Sequence, residues 1–165
     1  MSLVAMPSAL EPVALIFKLN NEMVVRSLNG LTDEECWRRP ADGGNPILWL
    51  VGHATISRGR LLAQLGHPYD HGLGLLFDRG AKLREPDAYP VRATIEAAWQ
   101  DTRRRMREAF AGLTDERLAA APSGQPLPGV TSIAGFIAFL AFHESYHVGQ
   151  MGYLRRQLGH SGVAG

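Results

Sequence analysis

Three features of this 165-residue sequence predict an all-α fold, a four-helix bundle. Four segments place apolar residues at alternating spacings of three and four, the period of a helix with one face turned to a core. Residues that cap or stop helices bound those segments. No run shows the convincing apolar/polar alternation of a half-buried strand. The length suits one domain, residues 1–165, with a core of its own.

The first helix is expected from about Leu10 to Leu28, with Leu10, Ala14, Phe17, Val24 and Leu28 on one face. Asn29-Gly30 closes it, since glycine adopts the left-handed conformation that ends a helix without steric cost. Asn21 interrupts the inward stripe and is either a pocket-lining group or a hydrogen-bonded structural one. The second helix opens at Asn45-Pro46, read as an N-cap followed by proline in the first turn, and runs to Leu65 with Gly66 as its stop. Its inward stripe is Trp49, His53, Ile56 and Ala63. The third covers about Val91 to Ala111, with Ile95, Trp99, Met106 and Phe110 inward. The fourth runs from about Ser132 to Leu158, closed by Gly159.

Between the second and third helices, His67 to Pro90 is rich in Gly, Pro and Asp and longer than a tight turn. A crossover along the bundle is expected there, which favours up-down-down-up over up-down-up-down. The string Gly30-Leu31-Thr32-Asp33-Glu34 recurs as Gly112-Leu113-Thr114-Asp115-Glu116, each time after a long helix and ahead of a histidine-bearing one. Thr32 and Thr114 read as N-caps of short helices. The echo is either a duplicated helix hairpin about a pseudo-twofold or convergent capping chemistry.

With 45% hydrophobic residues and a net charge of +1, the chain reads as an ordinary globular protein that binds neither nucleic acid nor membrane. No apolar run reaches the roughly eighteen residues a bilayer requires. Met1 to Phe17 lacks a basic leader region and is interrupted by Pro7, Glu11 and Pro12, so a cytoplasmic location is expected. The single cysteine, Cys36, excludes an internal disulfide and reads as an inert, buried or half-buried thiol. Arg103-Arg104-Arg105 with Arg107 is expected to be a solvated helix face.

Chemistry concentrates in His143-Glu144-Ser145-Tyr146-His147. The apolar stripe Ile133, Ile137, Leu140 continues through His143 and His147 to Met151, Leu154 and Leu158 without a break. Histidines four residues apart lie only about 40° apart around a helix and can share one ion. Imidazoles on a core-facing stripe are costly unless something binds them. The pattern matches the H-E-x-x-H signature of zinc proteases, in which the glutamate is the general base. Against that reading, Gln150 and Tyr153 occupy the positions of the extended signature, and no Asp or Glu follows Glu144. The third ligand must therefore come from upstream, and His53, on the facing stripe of the second helix, is the natural partner. Three imidazoles without an evident fourth protein ligand describe an open, catalytic type of site.

Glu144 points about 100° away from its ligand neighbour, leaving it a base, a support for a histidine, or an exposed group. Gln150, one turn beyond His147, is a candidate outer hydrogen-bond partner. The His67-Pro68-Tyr69-Asp70-His71 cluster reads as exposed loop, and His160 as a group neutralising the last helix carbonyls.

Asn45-Pro46-Ile47-Leu48-Trp49-Leu50-Val51-Gly52-His53 and His143-Glu144-Ser145-Tyr146-His147-Val148-Gly149-Gln150 resemble the two marker blocks of the DinB/YfiT-like superfamily of metal-binding four-helix bundles, which shares only a name with the translesion polymerase. The resemblance covers nearly the whole chain. It implies a divalent ion, most often zinc or nickel, held by His53, His143 and His147, and it implies homodimers. Some members use low-molecular-weight thiols such as mycothiol or bacillithiol to transfer or isomerise small-molecule substrates. A metal-dependent enzyme activating a thiol or water, with Glu144 as its candidate catalytic residue, is thus the first expectation. A non-enzymatic metal- or ligand-binding protein is the alternative.

Overall fold

The computed structural model describes residues 6–41, 43–124 and 127–163. Within them the chain is all-helical, with no β-strand. Four long helices, α1 (Glu11–Leu28), α3 (Ile47–Gln64), α4 (Arg92–Ala111) and α6 (Ile133–Gln157), are joined by two short ones, α2 (Asp33–Trp37) and α5 (Asp115–Ala119).

Both threonines of the repeated string cap the short helices. The Thr32 hydroxyl accepts from the Glu35 N–H while the Glu35 carboxylate accepts from the Thr32 N–H, a reciprocal capping box. Thr114 accepts from the Arg117 N–H, but arginine stands where the acid would return the bond. The glycines differ too: Gly30 is left-handed (φ +75), whereas Gly112 is not. Each short helix nevertheless packs against the long helix that follows it.

The expected opening of the second long helix is corrected. Pro46, not Asn45, occupies the cap position, and no side chain caps α3. Proline's missing N–H removes one of the orphan donors that a cap would otherwise satisfy. The Ser132 hydroxyl does cap α6, accepting from the Gly135 N–H at 3.1 Å.

Two apolar clusters fill the interior. One joins Val24 and Leu28 of α1, the first half of α3, Ile95 and Trp99 of α4, and Val148 and Met151 of α6. The other joins Leu10 and Phe17, Leu61 and Leu62 of α3, Met106 and Phe110 of α4, and Ile133 and Ile137 of α6. Between α1 and α6, Asn20 donates to Ser145 (3.1 Å) and Arg155 to the Ser27 carbonyl (3.3 Å).

Helix α3 does not present the single stripe its apolar period suggests. Ile47 through Gly59 are all buried, whereas Ala63, assigned to the stripe, is exposed. The crossover explains this. Residues 67–90 fold back over α3 through 3-10 turns at Gly74–Phe77 and Pro86–Ala88, burying Leu73, Phe77 and Tyr89. Gly52 makes the approach possible: a Cβ there would overlap the Phe77 ring. Gly52→Ala is therefore expected to destabilise the fold by about 1–3 kcal/mol, the usual cost of overpacking, as read from urea unfolding.

Candidate metal centre

His53 of α3 meets His143 and His147 of α6 across the helix pair. His143 Nε2 lies 3.3 Å from His53 Nε2 and 3.1 Å from His147 Nε2, and one ligand atom from each residue falls within 4.8 Å of the others. This is the three-residue set the sequence singles out, gathered from positions 90 residues apart.

Two of the rings are clamped from behind. His53 Nδ1–H donates to the Phe77 carbonyl at 2.7 Å. A carbonyl can only accept, so the proton is on Nδ1 and the Nε2 lone pair faces the other histidines. His147 Nδ1 pairs with Gln150 Oε1, also at 2.7 Å, which orients that ring in the same sense. The Trp49 indole stacks on His53 at 5.2 Å between centroids with 7° between planes. His143 Nδ1 is buried without a partner. Phe139 lies beside its ring (6.2 Å), and exposed Tyr146 stands at the edge of His147 (5.3 Å).

Burial is the largest influence on all three imidazoles and lowers their affinity for protons. His143 is pushed down to about 4, first by burial and then by its neighbours His147 and His53. His53 and His147 are lowered by burial against the opposing pull of the Phe77 carbonyl and Gln150. Neutral, lone-pair-forward rings are what a metal requires. For an ion held tetrahedrally at ~2.1 Å from each nitrogen, adjacent nitrogens stand about 3.4 Å apart. The spacings of 3.1 and 3.3 Å match that closely, so the residues present fit a transition ion.

A pH dependence follows for the metal-free protein. The folded histidines bind protons less readily than unfolded ones, whose ordinary value is 6.5. Their contribution to stability is thus fully present above about pH 6.5 and declines as pH falls below it, the share of His143 being lost as pH falls through about 4. Denaturation in chelator should show a stability decline over that window, and His143→Leu should flatten it.

Glu144 lies elsewhere in the geometry. Its carboxylate receives a bidentate pair from Arg58 of α3, at 2.7 Å from Nε and 2.9 Å from Nη2, and both side chains are almost wholly buried. Arg58 also donates to Asn21 Oδ1 (2.9 Å), so Asn21 is a hydrogen-bonded group that lines a cleft as well, and the Arg58 guanidinium lies 3.6 Å over the Trp99 ring. Sequence reasoning missed both Arg58 and the Phe77 carbonyl. The signal for Arg58 was a cation inside a largely apolar helical run, two residues before Arg60; a backbone carbonyl in a connecting segment leaves no such mark.

The remaining candidates fall away from the site. His71, half-buried, accepts from the Leu73 N–H (3.1 Å), while His67 and Asp70 are exposed. The His160 side chain does not serve the helix end as expected: it reaches Glu35 of α2 at 3.0 Å and, with Thr32, holds that carboxyl down to about 2. Cys36 is buried, its thiol pushed up to about 11 chiefly by burial, consistent with an inert group.

A helical protein with a three-histidine cluster between two long helices is the class that the fold and the site define. The model of the DinB superfamily matches residues 16–151, so the chain belongs to that superfamily. It is similar in fold to a conserved protein from Enterococcus faecalis (TM-score 0.69, 14% identity, 89% of this chain and 95% of that one). A DinB-like protein from Bacillus cereus ATCC 10987 is similarly related (TM-score 0.66, 23% identity, 90% and 92%). None of the curated proteins matches it. Among the described residues, no helix is long and apolar enough to cross a membrane.

Proposed function

We propose that this chain is a metal-dependent enzyme that activates a thiol or water at His53, His143 and His147, of thiol transferase, isomerase or hydrolase type. The convergence of three Nε2 atoms, two of them aimed by bonds behind the ring, carries this reading. A zinc or nickel ion bound there would keep its positive charge against three neutral ligands and so favour a deprotonated nucleophile near neutral pH. His53 and His147 supply fixed lone pairs, Trp49 excludes water from one side of His53, and Tyr146 borders the outward side. The described His, Cys, Asp and Glu residues add no fourth member to the cluster, which leaves room for a small-molecule substrate or a low-molecular-weight thiol such as mycothiol or bacillithiol. Glu144, with both oxygens on Arg58, acts in this reading as a positioning residue for α6 rather than as a base.

The same reading takes the four long helices as an up-down-down-up bundle. Supporting it, the two core clusters pair the end of α1 with that of α6 and the starts of α3 and α4 with each other. It further takes the chain as a cytoplasmic homodimer, consistent with the exposed Leu15, Leu19, Phe142 and Tyr153 on neighbouring α1 and α6; sedimentation velocity tests the stoichiometry. The activity is tested by conjugating a chromogenic electrophile with a panel of cellular thiols, with and without zinc or nickel, alongside ester and amide substrates. Turnover that requires metal and disappears in His53→Ala is expected. Stoichiometric metal without turnover on any of them would favour the binding or sensing alternative.

A further inference from the structure

Helices α1 and α4 pack less closely than the other neighbouring long helices, and a cleft of about 630 Å³ opens between them. Neither helix contributes to the histidine site. Much of the base of the cleft is apolar, Phe17 and Phe110 meeting with centroids 5.9 Å apart beside Ala14 and Met106, while the buried Arg58 and Asn21, bonded to each other, complete it. Its rim is cationic, formed by Lys18, Arg103, Arg104 and Arg107, and no aspartate or glutamate lines it. Arg104 is matched by Asp101 and Glu108. Arg58, at the floor, is matched by Glu144. Among the described residues, Lys18, Arg103 and Arg107 have no ion-pair partner, so the surplus positive charge sits at the mouth of an apolar cavity.

Each simple ligand class satisfies half of this arrangement. A small hydrated anion would neutralise the rim and leave the apolar base wet; a neutral hydrocarbon would fill the base and leave three like charges unscreened. Arg103 and Arg107 stand one turn apart on α4, the spacing at which two guanidinium groups can reach one carboxylate.

We propose that this cleft is a binding site for a monomeric amphipathic carboxylate, by chemical class a medium-chain fatty acid. Its alkyl chain lies over Phe17, Met106 and Phe110, and its carboxylate is received at Arg103 and Arg107.

Calorimetric titration with decanoate below its micellar concentration tests the site, with chelator present so that the histidine cluster takes no part. Saturable binding of one decanoate per chain is expected. Decanol, which lacks the charge, and the exposed double variant Arg103→Ala/Arg107→Ala should each weaken binding by about tenfold or more. Ala14→Trp, which fills the base, should abolish it; circular dichroism checks that each variant is folded, and the double variant decides the matter if Ala14→Trp is not. Absence of saturable decanoate binding would overturn the proposal, as would an affinity indifferent to the two arginines. Binding to phosphatidylglycerol vesicles without binding of monomeric decanoate would also overturn it, assigning the surface to a membrane instead.

Discussion

With the histidine cluster read as a metal site, His147→Ala is expected to abolish stoichiometric metal binding. Removing an outer hydrogen-bond partner typically weakens a metal site by about 10–100-fold. Deleting one of three ligands takes away a coordinate bond and the Gln150 clamp together, so the loss should exceed about a hundredfold. Gln150→Ala, which leaves the imidazole but frees its rotation, should fall inside the 10–100-fold range. Elemental analysis of protein as purified, followed by competition with a chromophoric chelator, ranks wild type, Gln150→Ala and His147→Ala in that order. The stability of the metal-free form should move the other way. The Nε2 atoms of His53 and His147 lie 3.3 and 3.1 Å from that of His143, whose Nδ1 is unpartnered, so truncating one imidazole relieves a polar cost. Bound metal unchanged by His147→Ala would remove the basis for reading the cluster as a metal site.

The four long helices and the three histidines were legible in the sequence for one reason. Each depends on periodicity, and the stripe from Ile133 to Met151 keeps its period straight through His143 and His147. Glycine stops were legible for a second reason, since Gly30, Gly66 and Gly159 all adopt the left-handed conformation that other residues avoid. What periodicity could not show is a helix buried all round. The surroundings of α3 include the folded-back crossover, so its buried positions run consecutively and the pattern carries no information about which neighbour covers which face. The same limit hid the clamp on His53, because the Phe77 carbonyl belongs to backbone that sequence reasoning treated as connection. Motif matching alone could not show where Glu144 reaches: the H-E-x-x-H string suggests a base, while the turn of about 100° that separates it from His143 carries its carboxylate to Arg58.

Arg58→Ala is the substitution expected to damage the fold most. It strands the Glu144 carboxylate in the interior and deprives Asn21 of its donor, and breaking a buried pair from one side typically costs about 3–5 kcal/mol. Replacing both partners with apolar residues of similar volume, Arg58→Met with Glu144→Leu, should cost far less, because no charge is left unpaired and the desolvation of two ions is avoided. Urea unfolding of the two single variants and the double closes the cycle, and strong non-additivity is the expected result. The same double variant separates a structural from a chemical role for Glu144. A general base contributes roughly 10²–10⁴-fold to rate, so if Glu144 moved a proton, turnover would fall by that factor even where stability was restored. A positioning residue predicts the opposite split: Glu144→Leu alone lowers stability, whereas in the double variant metal affinity and turnover per folded molecule return close to wild type. Geometry favours the second outcome, since both carboxylate oxygens are engaged by Arg58 at 2.7 and 2.9 Å and protonating either would discharge the partner of a buried guanidinium.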